Sequence, residues 1–310
     1  MKLNKIKLAL GFVTAATLAM PMVASAAADQ EKAMKDPSNW AHPRGQHDNQ
    51  AYSKLTQINK GNVKNLKAAW TLSTGVNRGH EGSPVVVGNM LYVHTAFPNN
   101  VYALDLNNNQ KVVWSYFPKQ DPSVQAVLCC DNVNRGLGYG DGKIFLQQND
   151  GMLVALDAKT GAKVWDVRNT DPKVGATNTN APHVIKDKIL TGCSGAEFGV
   201  RCFIAAYNIA DGSLAWKAMS TGSDADALIG ADFNKDTPLY SALSVYEDVN
   251  GGNKQGGSFK KIPNSQLKGG VADLGLKTWL KPQAVKDGWQ HGGGSTWGWW
   301  PYDAKTNLVY

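Results

Sequence analysis

Cysteine is scarce in this chain, four in 310 residues, and none of the four opens a Cys-x-x-Cys-His run, which excludes a c-type haem attached to it. The six histidines, His42, His47, His80, His94, His183 and His291, show no zinc-ligand spacing. The glycines of Gly136-Leu137-Gly138-Tyr139-Gly140-Asp141-Gly142 lack the dinucleotide-binding spacing and read as a turn between strands. Gly192-Cys193-Ser194-Gly195-Ala196 falls one glycine short of a nucleophile elbow, because Ala196 stands where that motif needs glycine. Charge of one sign is also in short supply. The excess of 32 Lys and Arg over 25 Asp and Glu gives +7, of which Lys2, Lys5 and Lys7 contribute three. A surplus so small and so spread out excludes the clustered basic face that nucleic-acid binding requires, and suits ordinary solubility or an acidic redox partner.

What is present begins with residues 1–26. A lysine-rich start, an apolar stretch from Leu8 to Met20 and the small residues Ala24-Ser25-Ala26 read as an export signal with its cleavage site. Pro21 and the short apolar run argue against a membrane anchor, and no later segment is long enough for a membrane helix. Residues 27–310 are therefore expected in an oxidising compartment, the bacterial periplasm, with no membrane span after cleavage. That compartment bears on Cys129 and Cys130, which are adjacent. Two buried thiols and a vicinal disulfide are both open to such a pair. The oxidising address favours the disulfide, whose strained ring is the kind of feature found at functional sites. The partners of Cys193 and Cys202 are not fixed by the sequence.

The ten tryptophans fall in a pattern. Val101-Tyr102-Ala103-Leu104-Asp105 leads to Trp114, Leu153-Val154-Ala155-Leu156-Asp157 to Trp165, and Ile204-Ala205-Ala206-Tyr207-Asn208 to Trp216. The alanines lie 52 and 51 residues apart and the tryptophans 51 and 51. Lys159-Thr160-Gly161 and Ala210-Asp211-Gly212 supply turns between alternating apolar segments, which predicts hairpins. A period near fifty residues with about four strands per unit predicts an all-β propeller. Leu66-Lys67-Ala68-Ala69-Trp70 reads as the end of an earlier blade, and the Gly- and Lys-rich residues 237–285 read as an irregular loop.

The unit Ala155 to Trp165 resembles the tryptophan-docking motif of the pyrroloquinoline quinone (PQQ) enzymes. Gly79-His80-Glu81-Gly82-Ser83-Pro84, the run from Cys129-Cys130-Asp131 through Arg135-Gly136, Gly192 through Arg201, and Gly292 through Trp299 resemble the methanol dehydrogenase large subunits of that family. The resemblance covers nearly all of residues 27–310. It implies an eight-bladed quinoprotein propeller, of which this chain holds about the first half. It further implies a periplasmic enzyme oxidising methanol or another short primary alcohol by hydride transfer to metal-bound PQQ. Electrons would pass to a soluble cytochrome c, and the full-length protein would be a homodimer.

The same resemblance assigns the cofactor site. Trp297 and a Cys129–Cys130 ring would be the two faces between which a flat quinone lies. Arg135 would supply a cationic fork for a carboxylate or quinone oxygen. Glu81, Thr179, Ser194, Gly195, Ala196 and Ser295 would form the rim, and Glu197 would bind calcium or a lanthanide ion. For Thr179 and Ser295 local hydrogen bonding by a strand hydroxyl is the competing role. The last segment, Trp299 to Tyr310, resembles a blade ending before its docking tryptophan. The chain thus reads as an amino-terminal fragment, inactive alone, with the metal-binding Asn and catalytic Asp expected beyond the position of Tyr310. The short Gly140-Asp141-Gly142-Lys143-Ile144 turn resembles the lanthanide type more than the calcium type. A second class is a non-catalytic outer-membrane assembly scaffold. Such lipid-anchored proteins place a cysteine directly after the signal, whereas the first cysteine here is Cys129.

Overall fold

A computed structural model describes residues 28–77, 79–130, 132–221 and 292–310, with the backbone of 245–248 and 259–262. The export signal and most of 237–285 lie outside the described residues. A short helix α1 (Ala28–Lys35) and a strand β1 (His80–Ser83) precede a four-stranded antiparallel sheet of β2 (Val85–Val87), β3 (Met90–His94), β4 (Val101–Asp105) and β5 (Lys111–Tyr116). A second sheet follows from β6 (Asn134–Gly140), β7 (Lys143–Gln147), β8 (Met152–Asp157) and β9 (Lys163–Arg168), with β1 added parallel to β6. The third is β10 (His183–Ile185), β11 (Lys188–Thr191), β12 (Phe203–Asn208) and β13 (Leu214–Met219). These are the meander blades that the repeat predicts.

The Ala and Trp spacing has a direct cause. In each sheet the alanine lies opposite the tryptophan across the third and fourth strands: Ala103 with Trp114, Ala155 with Trp165, Ala206 with Trp216. The register shifts directly after each of these pairs, so even the bulge repeats. The first two indoles, Trp114 and Trp165, lean onto the next sheet. Trp114 donates its Nε1–H to the Ala158 carbonyl at 3.0 Å, and a Cβ on Gly161 would lie 2.6 Å from its ring. Trp165 repeats this with the Ile209 carbonyl at 3.3 Å and with Gly212. Glycine is required at both turns because the ring takes the space of a Cβ and because φ is +72° at each.

Alternation along the strands fills both gaps between sheets. Ile144 and Leu146 of β7 and Val154 and Leu156 of β8 face the core shared with the first sheet. Phe145, Leu153 and Ala155 between them face the core shared with the third. Successive side chains of a strand point to opposite faces, so a central blade is apolar on both. α1 closes one edge, where the Asp29 carboxylate accepts from the backbone N–H of Asp141 and Gly142 at 2.7 and 2.8 Å.

Three readings of the sequence change. The glycine-rich run is not a turn: Asn134–Gly140 is β6, buried along its whole length, and only Asp141 and Gly142 turn. Its glycines permit close approach, since a Cβ on Gly138 would sit 2.8 Å from the Pro182 carbonyl. Within 237–285 two strands pair antiparallel, β14 (Val245–Asp248) and β15 (Phe259–Ile262), in register Val245 to Ile262. β-Prone residues flank the glycine-rich stretch there, which is a hairpin pattern. Leu66 to Trp70 forms no strand, and Trp70 is exposed. A strand needs a hydrogen-bonding neighbour, and none of the described residues provides one. A final hairpin, β16 (Tyr302–Asp303) and β17 (Leu308–Val309), ends the chain.

Among the described residues three histidines, His42, His94 and His183, are buried. Burial holds His94 neutral down to about 4 and His183 to about 3, and lowers His42 well below its usual value, with neighbouring His183 adding to the effect. An unfolded histidine titrates near 6.5. The neutral rings therefore contribute full stability above about pH 6.5, which is lost as pH falls from there through the folded values. At pH 5 the cost is about 2 kcal/mol for each of His94 and His183. Urea midpoints at pH 7 and pH 5 should differ accordingly, and equal midpoints would contradict the burial of these rings.

Candidate functional site

The Cys129–Cys130 pair follows a short 3₁₀ helix, Pro122–Val127, capped by the Asp121 side chain on the Ser123 N–H. Its two sulfurs are bonded to each other across adjacent residues with Cα atoms 3.8 Å apart, and Cys130 has φ +61°. Five residues later Arg135 enters β6 and is buried. Its Nε lies 3.2 Å from Glu81 Oε2 on the neighbouring β1, and its Nη1 donates to the Thr179 carbonyl at 3.2 Å. The Arg135 backbone N–H donates to that same carbonyl. Above the guanidinium lies Trp297, its ring centroid 4.5 Å from Cζ, a cation–π stack with the indole 45% exposed. Burial pulls the guanidinium below its ordinary value while Glu81 opposes the shift.

Thr179 and Ser194 join the group through a hydroxyl pair at 2.7 Å, both buried. Their segments are zipped by backbone bonds between Thr177 and Ser194, N–H to carbonyl in both directions at 3.1 and 2.9 Å. Gly195 follows at φ +114°, where a Cβ would strike the Gly175 carbonyl. Ala196 and Glu197 then start a 3₁₀ turn, Ala196–Phe198. Glu197 is exposed, and no described residue bonds to its carboxylate. Ser295 is half-buried in the run that carries Trp297. Cys193 and Cys202, left open by the sequence, form the second disulfide, with Cα atoms 5.5 Å apart, so that no cysteine is free.

Geometry thus brings Glu81, Arg135, Thr179, Ser194 and Trp297 into one contact chain. It gives no contact joining Glu197 or Ser295 to that chain. Trp297 meets the Arg135 guanidinium, a contact absent from the sequence reading. Three parts went unread in the sequence. Thr296 pins the Trp297 run to the third sheet: its N–H donates to the Cys193 carbonyl and its hydroxyl to that of Phe203, while the Cys193 N–H donates back to the Thr296 hydroxyl. Asn149 donates to the carbonyls of Val133 and Asn178, behind Arg135 and Thr179, and exchanges bonds with Asn99. Asn169 holds the Asn178 side chain and the Gly192 carbonyl. The fifty-residue interval between Asn99 and Asn149 was the available signal, since it matches the blade repeat.

Residues 40–238 match the family described as the PQQ glucose/ethanol/alcohol dehydrogenase β-propeller domain. The chain belongs to this family. Among curated relatives of this PQQ propeller, a lanthanide-dependent methanol dehydrogenase of Methylorubrum extorquens is 50% identical over 262 residues, 84% of this chain and 38% of that protein. Subunit 1 of the cytochrome c methanol dehydrogenase of Paracoccus denitrificans is 42% identical over 309 residues, 97% of this chain and 44% of the other. Among solved structures, a europium-containing methanol dehydrogenase superposes with a TM-score of 0.71 at 43% identity, covering 91% of this chain and 43% of that one. The chain therefore spans about two fifths of the length of these relatives.

The chemistry of the site fits PQQ. A planar carboxylated quinone needs an aromatic face, a fixed cation and hydrogen-bonding groups, and Trp297, Arg135 and the Thr179–Ser194 pair supply these. Buried polar atoms beside them, Thr177 Oγ1, Asn178 Nδ2 and Asn180 Oδ1, have no hydrogen-bond partner among the described residues. For a metal, Glu197 offers an unengaged carboxylate of the hard type that calcium and lanthanide ions take. Among the described residues no group of three or more His, Cys, Asp or Glu side chains is placed to hold an ion, so Glu197 would be one donor of a larger shell.

Proposed function

We propose that the protein carrying this chain oxidises methanol or another short primary alcohol to the aldehyde, using PQQ with a calcium or lanthanide ion. The observation that supports this best is the buried Arg135 gripped between Glu81, the Thr179 carbonyl and the Trp297 ring, five residues after a vicinal disulfide. The names of the relatives point the same way. Bound PQQ and its ion would supply the hydride acceptor and the Lewis acid that polarises it. The chain's own part is to hold and orient. Trp297 presents a rigid face, and Arg135 fixes a carboxylate or carbonyl oxygen in plane. Thr179, Ser194, Gly195, Ala196, Ser295 and Glu81 shape the rim, and Glu197 donates to the ion. The residue that takes the alcohol proton is not among those placed in this site.

The same reading carries a periplasmic location after removal of residues 1–26, a soluble cytochrome c as acceptor and a homodimer. Among the described residues no helix is long and apolar enough to cross a membrane. A non-catalytic scaffold gives the vicinal disulfide and the Arg135–Trp297 stack no use. Purified protein, as its gene encodes it, should reduce an artificial dye with methanol once loaded with PQQ and calcium or lanthanum. Glu197→Ala should lose at least about 100-fold of that rate, as expected when a metal ligand is removed. Full activity in that variant, or no dye reduction with any short alcohol in the parent, contradicts the proposal.

A further inference from the structure

The strands of the three blades are joined by loops of very different length at the same place. Between the second and third strands the first sheet uses residues 95–100, the second only 148–151, and the third 192–202. This longest excursion is the one that carries Ser194 through Glu197. It is also the one closed at its base by a disulfide, Cys193 to Cys202, with both cysteines fully buried. We propose that the Cys193–Cys202 bridge is a positioning device that holds Glu197, and the Ser194-Gly195-Ala196 run before it, in metal- and cofactor-binding geometry.

Several features of the loop point to this role. The hydrogen-bonded ladder of β11 and β12 ends at the pair Thr191 and Ala205, so the sheet gives the loop no further support. Ser194 is held at the loop's start by its paired backbone bonds with Thr177 and by the Thr179 hydroxyl; past it the loop has one short turn, with bonds from Phe198 N–H to the Gly195 carbonyl, Gly199 N–H to Ala196 and Val200 N–H to Gly195. Gly195 and Gly199 lie at φ +114° and +85°, a backbone that glycine adopts without choosing it over alternatives. Glu197 itself is exposed and unbonded, so nothing about its own side chain sets where it points. The two ends of the loop, in contrast, are fixed. Cys193 is bonded in both directions to Thr296, beside Trp297, and the hydroxyl of Ser220 donates to the Cys202 carbonyl at 2.8 Å. The bridge ties these two anchored ends together. A ligand that must sit within a fraction of an ångström is then delivered by a closed ring rather than by an open loop.

The inference rests on the reading of Glu197 as a metal donor, and the experiment separates the two. Protein as encoded by its gene, stripped of metal, is titrated with terbium, read by luminescence sensitised through tryptophan. PQQ binding is followed separately by fluorescence quenching. Cys193→Ala with Cys202→Val, which keeps core volume, should bind terbium about 10 to 100 times more weakly, as expected when a ligand loses its support. Its other disulfide, unlike this one, is not buried and should remain intact by peptide mass. Glu197→Ala should abolish tight terbium binding. If Glu197→Ala binds like the parent, the metal reading fails. If Glu197→Ala loses binding while the double variant keeps it, the positioning role is overturned and the metal reading stands. Hydrogen exchange on the parent supplies a measurement that needs no variant. The amides of Phe198, Gly199 and Val200 should be protected although the loop is exposed, and exchange at unprotected rates with the bridge intact would also overturn the proposal.

Discussion

Arg135→Met is expected to weaken PQQ binding by about 10- to 100-fold, the worth of one or two hydrogen bonds to a charged group. Methionine fills much of the volume and keeps contact with Trp297, but removes the cation and both donors. The fold should tolerate the change. Glu81 is already half in solvent and regains water when its partner leaves, and the Thr179 carbonyl keeps the Arg135 backbone N–H. A melting temperature near that of the parent together with the affinity loss would therefore mark a ligand contact rather than a structural one. Arg135→Lys keeps the charge but loses the planar fork that stacks beneath Trp297, so it should recover only part of the affinity. Isothermal titration of the metal-loaded protein with PQQ checks both. Unchanged affinity in Arg135→Met would remove this residue from the cofactor site.

Trp114→Ala should cost about 3 to 5 kcal/mol of stability, the range for emptying a large aromatic site in a core. The indole fills the gap between the first two sheets, presses on Gly161 and satisfies the Ala158 carbonyl. Neighbouring strands are too well tied by their ladders to collapse into the space. Trp114→Phe keeps most of the apolar contact and loses the N–H. The Ala158 carbonyl still has the Tyr92 hydroxyl at 3.0 Å, so that variant should cost about 1 to 2 kcal/mol. Urea unfolding followed by far-ultraviolet circular dichroism orders the three proteins. A Trp114→Ala midpoint within error of the parent would mean that the inter-blade dock carries no stability.

The propeller was legible in the sequence because its determinants are local and repeat. An alanine opposite a tryptophan, followed by a bulge, is written within about twelve residues and recurs at the blade interval, with a glycine turn in the second and third units. Alternation in β7 and β8 is likewise a property of the strand itself. Neighbours distant in the chain left weaker traces. Gly136 to Gly140 read as a turn because glycine normally signals one, yet the close approach of Pro182 and Ala181 demands glycine inside a strand. The irregular reading of 237–285 missed the β14–β15 pairing for a similar reason, since composition was dominated by the glycines between the strands.

For the site, the residue types could be read along the chain: adjacent cysteines, a glutamate after a Ser-Gly-Ala run, an arginine and a tryptophan embedded in recognisable motifs. Tertiary structure alone decided which of them meet. Arg135 reaches Glu81, Thr179 and Trp297 because β1 pairs with β6 and because Thr296 pins the far run 292–300 to Cys193. Cys193 chose Cys202 because both sit at the base of one loop, with their Cα atoms 5.5 Å apart and their side chains in a common core. Such pairings depend on distances across sheets, set by strand twist, packing and the length of each connection, and no local run of residues encodes them.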